Sequence, residues 1–305
     1  NILVIGDCII DHDVFSDCVG LSLETPTMKS QFTGERFSLG GAANVVNNLL
    51  SLGSGVTFVT ATSTDEFGER VSNWSHPELK MNAIFHQEQC SVKSRYWIRR
   101  SNILYKYLQV NRGTPATVAK KYLGSLFSLI SDTAPDIVLL VDYRNGIFDE
   151  ETLPQYLIEF CKSKNIKVIS SSQSSDKASR YGYFRNSNLI CMNKMEAIGT
   201  LSEFTTDLSG MSKLYKYLNS PVCVTLGPSG SILYNGESFY EHSGFLVDAV
   251  DTTGAGDSFF AALACNADNI DLEFSVVTDD GRISKMSLPR DGQANIKFKF
   301  RKKFI

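Results

Sequence analysis

The chain has only four histidines, and none of its seven cysteines stands in a CxxC pair. No ligand spacing for a zinc site exists, and no disulfide framework is visible. Scattered cysteines in odd number read as reduced, mostly buried thiols of a cytoplasmic protein. No apolar run approaches the ~20 residues that a membrane helix needs. Neither sign of charge dominates: 30 Lys and Arg face 33 Asp and Glu, a net charge of -3, which excludes the basic balance of a nucleic-acid binder. The start lacks the basic-then-apolar pattern of a secretory leader, and Asn1 leads straight into a strand, as if an initiator Met were missing. Repeats and low-complexity segments are absent as well. What remains is an ordinary globular composition, 43% hydrophobic and 21% charged over 305 residues, enough for one large or two small domains.

Short β-rich runs alternate with helical patterns. Strands are expected at 2–5, 56–61, 137–141, 167–170, 189–192 and 222–226, and helices after Gly40 and over 119–130, 153–162 and 257–264. A hairpin is expected over 92–110, broken at 99–102. This alternation predicts an α/β fold with an open, mostly parallel sheet covered by helices on both faces. Ligands of such sheets lie beyond the carboxyl ends of the strands, which singles out Asp7, Asp11, Asp142, Asn193 and Gly227.

The run Asp251-Thr252-Thr253-Gly254-Ala255-Gly256-Asp257-Ser258 is the most informative. Small residues at a helix start leave backbone N–H groups open to an anion. A carboxylate there repels a phosphate unless it has a task. Accepting the proton of a hydroxyl that attacks phosphorus is such a task. Asp257 is therefore the candidate base, with Gly254, Ala255 and Gly256 stabilising the transferred group. The plain alternative is a glycine-containing loop whose Asp caps a helix.

The stretch DTTGAGDSFFAALA resembles the C-terminal signature of the PfkB (ribokinase-like) family of sugar kinases, and Gly40-Gly41-Ala42-Ala43-Asn44 resembles its N-terminal glycine motif. Val46 and Ser63 depart from the family pattern at positions that carry no chemistry. Within the family the chain is most similar to the heptose 7-phosphate kinase group, through GERFSLGGAANVVNNLLSLG, LSLETPTM, SVKSRYWIRRSNILYKYLQV and PDIVLLVDYRNG. The resemblance implies a ribokinase-like domain over 1–266 with a small β lid at about 90–110, and ATP and Mg2+ as cofactors.

It also implies roles for residues. Asp11, Gly40, Gly41 and Asn44 would meet the sugar, Asp11 through hydroxyl hydrogen bonds. Asn193 and Glu196 match an NxxE motif that organises Mg2+, with Glu196 acting on the metal through water. Thr225, Gly227 and Asp251 would contact the nucleotide. Lys93, Arg95, Arg99 and Arg100 offer cations to a substrate's own phosphate, or else form a solvated edge. Asp142 is assigned to the substrate. Arg144 and Asn145 replace a Gly-Lys pair of the heptose group, and Ser171-Ser172-Gln173 replaces an Asp-Pro-Lys-like run. Lid aromatics such as Trp97 and Tyr105 suggest a homodimer surface.

The resemblance ends near Ala264, where the family continues with helices that wall the adenine pocket. Residues 267–305 instead alternate like strands, with a hairpin expected over 272–277 and 283–288 and further alternation at 296–300. The expected function is ATP-dependent phosphorylation of a sugar or sugar phosphate, heptose 7-phosphate at O1 first. A kinase for another sugar or nucleoside is one alternative. A sugar-binding pseudo-kinase is the other, and the tail is its support.

Overall fold

The computed structural model describes residues 1–116, 121–173, 178–244, 252–266, 273–277 and 283–287. Asp251, the start of the helix expected at 119 and the alternating segment at 296–300 lie outside these residues.

The first strand, β1 (Ile2–Gly6), is buried along its whole length, which is what a continuous apolar run becomes when both faces of a sheet are covered. Ile2 and Val4 pack on one side with Val45 and Leu49, while Leu3 and Ile5 pack on the other with Leu126 and Leu157. It lies between β4 (Val56–Thr62) and β8 (Ile137–Asp142), parallel to both. Beyond β8 the sheet continues in parallel through β9 (Lys167–Ser172), β10 (Leu189–Asn193) and β11 (Val222–Thr225). Two antiparallel strands, β12 (Ser231–Tyr234) and β13 (Phe239–His242), close that edge, and β5 (Leu79–His86) closes the other. The strand order reverses at β1, so the crevice beyond the ends of β1 and β8 is the switch point of the sheet.

The lid is larger than the sequence suggests. The expected hairpin is present as β6 (Val92–Arg100) and β7 (Ile103–Arg112), turning at Ser101 and Asn102 with φ of 49° and 64°. It joins a second pair, β2 (Cys8–Leu21) and β3 (Met28–Gly41), in a four-stranded sheet ordered β3-β2-β6-β7. Asp11 thus sits on a lid strand and not in a loop after β1.

Helix α1 (Ala42–Ser51) follows β3 directly. The helices α2 (Glu66–Ser72), α3 (Lys121–Thr133), α4 (Thr152–Ser163), α5 (Lys194–Thr200), α6 (Leu208–Leu218) and α7 (Ala255–Cys265) complete the fold. Val46 is fully buried in α1, and Ser63 donates to the Asp65 carboxylate that caps α2, so both departures are packing positions. In the tail, β14 (Glu273–Val277) and β15 (Ile283–Ser287) pair antiparallel as the alternation predicts. No helix among the described residues is long and apolar enough to cross a membrane. All seven cysteines are free thiols, five of them buried.

Candidate active site

Gly254 starts α7 with φ of 81°, a left-handed conformation that favours glycine. A Cβ there would also come within 2.9 Å of the Asn44 side-chain nitrogen. This close approach lets Asn44, in the first turn of α1, donate to Asp257 Oδ2 at 2.6 Å. Tyr143, just past β8, donates its hydroxyl to the other oxygen, Oδ1. Three segments far apart in sequence therefore converge on one carboxylate. Burial raises its pKa above the ordinary Asp range, the two hydrogen bonds pull it back, and the charge of Asp11 adds to the rise.

The Ala255 amide does not take the place expected for it. It turns back onto the Thr252 carbonyl at 3.1 Å, closing the turn ahead of the helix. Gly256 faces open space where a Cβ would stand, so the helix start remains approachable on that side.

On the lid, Arg95 donates to Asp11 Oδ1 at 2.7 Å. Gly40 is needed beside this pair, because a Cβ at residue 40 would lie 2.3 Å from Asp11 Oδ2. Gly41 caps α1 with φ of 63°. Lys93 is paired in register with Asp11, which puts its side chain on the same face of the lid sheet. Trp97 is not the exposed aromatic that the sequence suggests: it is partly buried and donates its indole N–H to Asp13 at 2.8 Å. Arg99 approaches Asp17 at 3.8 Å.

Asp142 has a different place from the one assigned to it. It is 1% exposed and accepts from Ser172 at 2.7 Å and from the Arg144 amide at 2.8 Å, with Arg180 at 3.7 Å. Both oxygens thus serve the protein, and Asp142 braces the loop after β8 instead of facing a substrate. Asp7, equally buried, accepts from the amides of Tyr143, Asn145 and Ile147 at 2.9, 3.2 and 3.2 Å. Burial and the neighbouring Asp142 push its pKa up to about 7 despite these bonds. The Arg144 side chain donates to the carbonyls of Gln173 and Ala178.

Asn193 and Glu196 form a capping box at the start of α5. Asn193 accepts from the Glu196 amide at 2.9 Å, and Glu196 accepts from the Asn193 amide at 2.8 Å and from the Tyr181 hydroxyl at 2.9 Å. Glu196 is 8% exposed, and the described residues include no group of three acidic, His or Cys side chains that could hold a metal. This donor set does not fit direct Mg2+ ligation. Thr225 lies beside Asn193 in the parallel ladder, and Gly227, with φ of 61°, faces open space in the turn after β11.

Sequence reasoning singled out Asp7 without giving it a task, and it passed over the role of Tyr143. The signal for Tyr143 was its place directly after β8 at the switch point, the same criterion that had singled out Asp142.

Residues 149–276 match the family described as pfkB family carbohydrate kinase. Curated relatives include the Bifunctional protein HldE of Campylobacter concisus, 29% identical over 86% of this chain and 55% of the relative. The protein of the same name from Sulfurimonas denitrificans is 31% identical over 87% of this chain and 55% of the relative. The chain thus spans little more than half the length of these relatives. Among solved structures, phosphofructokinase-2 of Escherichia coli in complex with substrates and products matches with a TM-score of 0.63 at 18% identity, over 87% of this chain and 86% of that one. Arabidopsis thaliana ribokinase complexed with ribose and ATP matches with a TM-score of 0.62 at 18% identity, over 88% and 86%.

Proposed function

We propose that this chain is a carbohydrate kinase of the pfkB family, which residues 149–276 match, and that it catalyses the ATP-dependent phosphorylation of a sugar or sugar phosphate, with heptose 7-phosphate at O1 as the first candidate. The observation that carries this reading is the Asp257 carboxylate at a helix start, gripped on both oxygens by Asn44 and Tyr143 and half-withdrawn from water. A half-buried carboxylate held by partners from distant segments, with a raised pKa, is what a catalytic acid or base requires. The relatives named HldE support the heptose reading.

In this mechanism the acceptor hydroxyl gives its proton to Asp257 as its oxygen attacks the γ-phosphorus of ATP, and ADP leaves. Gly256 and its neighbours at the start of α7 face the charge of the transferred group. Asp11 and Asn44 bind sugar hydroxyls, with Gly40 and Gly41 giving them room. Arg95 and Lys93 supply positive charge to a substrate phosphate. ATP lies towards Thr225 and Gly227. Mg2+ carried by the ATP phosphates would supply positive charge there, and Glu196 would reach it through water. Lid closure keeps water from the phosphoryl group.

The setting is cytoplasmic, in line with free thiols throughout. The lid also serves as a homodimer surface: Ile103, Leu104, Tyr105, Tyr107 and Leu108 of β7 are all exposed.

ADP release from Mg-ATP across heptose 7-phosphate, fructose 6-phosphate and ribose, with Asp257→Asn as the blank, tests the proposal. Turnover with one sugar and none in the variant is expected. Sugar-dependent stabilisation without ADP would favour the inactive binder, a reading supported by the pairing of 273–277 with 283–287 where the resemblance implies helices.

A further inference from the structure

We propose that Tyr143 is the positioning residue of Asp257: its hydroxyl, held in place by a loop that Asp7 clamps, fixes the rotation of the carboxylate and keeps it ionised. The proposal rests on the reading of Asp257 as the base and adds the device that makes it one.

The clamp is set up by distances. Tyr143 and Asn145 donate their amides to one oxygen of Asp7, at 2.9 and 3.2 Å, and Ile147 donates to the other at 3.2 Å. Three anchors over five residues leave the Tyr143 backbone little freedom, and the ring packs against the core beside α1 and α7. The hydroxyl then has one direction to point, and Asp257 Oδ1 lies there. Asn44 holds Oδ2 at 2.6 Å, so the carboxylate cannot turn about its last bond. Each oxygen keeps a second lone pair for an incoming hydroxyl.

Toward the ionised Asp257 the hydroxyl acts as a donor. Burial and the charges of Asp257, Glu196 and Asp11 push its pKa upward, so it stays protonated. A donor that never ionises favours the charged form of its acceptor. Asp257 needs that help, since desolvation and Asp11 on β2 both favour its neutral form. Arg95 on β6 is bound to Asp11 and offsets that charge in part.

The test measures the Asp257 carboxyl directly, by 13C NMR pH titration of Asp-labelled protein, with the resonance assigned through Asp257→Asn. In Tyr143→Phe the titration midpoint should rise by about 1 pH unit, the loss of one charge-assisted hydrogen bond. Replacing Tyr143 by 3-fluorotyrosine keeps the packing and makes a stronger donor, so the midpoint should fall. An unchanged midpoint in both proteins overturns the proposal. Kinetics supply the second arm. Tyr143→Phe should lower kcat about ten-fold, leave the sugar KM within about two-fold, and move the acid limb of the rate profile up by the same amount as the NMR midpoint. A loss confined to KM would make Tyr143 a substrate contact and sink the positioning role. Should the unaltered protein release no ADP with any sugar, the kinase reading fails by itself, and the NMR arm still decides whether Tyr143 governs Asp257.

Discussion

Around Asp257 the polar contacts join residues that the chain keeps far apart, Asn44 by 213 positions and Tyr143 by 114. Around Glu196 they are local: Asn193 is three positions away and Tyr181 fifteen. Both carboxylates stand near the start of a helix that follows the sheet. The Asn193–Glu196 pair serves the start of a helix, because it satisfies amides that would otherwise be orphaned. The Asp257 cluster meets no such local need. Asp257 caps nothing, and its partners are brought in by the fold. These two carboxylates thus differ in the sequence distance of their partners.

The sharpest way to break this contrast is to neutralise each acid in turn. Asp257→Asn should lower sugar-dependent ADP release by on the order of 10²–10⁴ while sugar binding persists, read by steady-state kinetics and calorimetry. Fold stability should hardly change.

Asp7 carries the next largest effect, on stability. Its pKa is raised from 3.8 to about 7, so the fold favours the protonated form. The stability it contributes is complete below about pH 4 and is lost as pH rises through 7. Unfolding free energies from urea titrations should therefore fall between pH 5 and pH 8, by on the order of a few kcal/mol. Asp7→Asn should flatten that slope, and a slope that survives the substitution would move the cause to another group.

Arg95→Ala should raise the sugar-phosphate KM about ten-fold to a hundred-fold, the worth of a charged hydrogen bond, with kcat much less affected. An unphosphorylated sugar should feel the change less, which separates the phosphate role from support of Asp11.

Glu196→Ala should cost about 1 kcal/mol in thermal unfolding through the broken capping box. Glu196→Gln should restore most of it, since an amide oxygen can still accept from Asn193. If Glu196→Gln is stable yet slows turnover at low magnesium, the charge of Glu196 matters beyond the box, and the contrast with Asp257 narrows.

The strands of the main sheet were legible because burial on both faces demands unbroken apolar runs such as 2–5 and 137–141. The lid strands β2 and β3 were not. Residues 28–39 are exposed almost throughout, and an exposed strand leaves little mark on its composition. Asp257 was legible from its neighbours in the chain. Tyr143 was seen but given no task, because nothing local connects it with a residue 114 positions on. The NxxE motif taught the reverse: its local meaning, a helix start, was as readable as the metal role assigned to it.

One residue, Asp7, separates β1 from β2, and none separates β3 from α1. The β2–β3 pair of the lid therefore has no slack where it is rooted. Of its two roots on the main sheet's side, one is the carboxylate that clamps the Tyr143 loop and the other is the cap of the helix that bears Asn44. Any tilt of the lid is applied as leverage at the two hydrogen bonds that hold Asp257. Sugar arriving beneath the lid and the aim of the base are thereby geared to each other, without a hinge loop to absorb the motion between them.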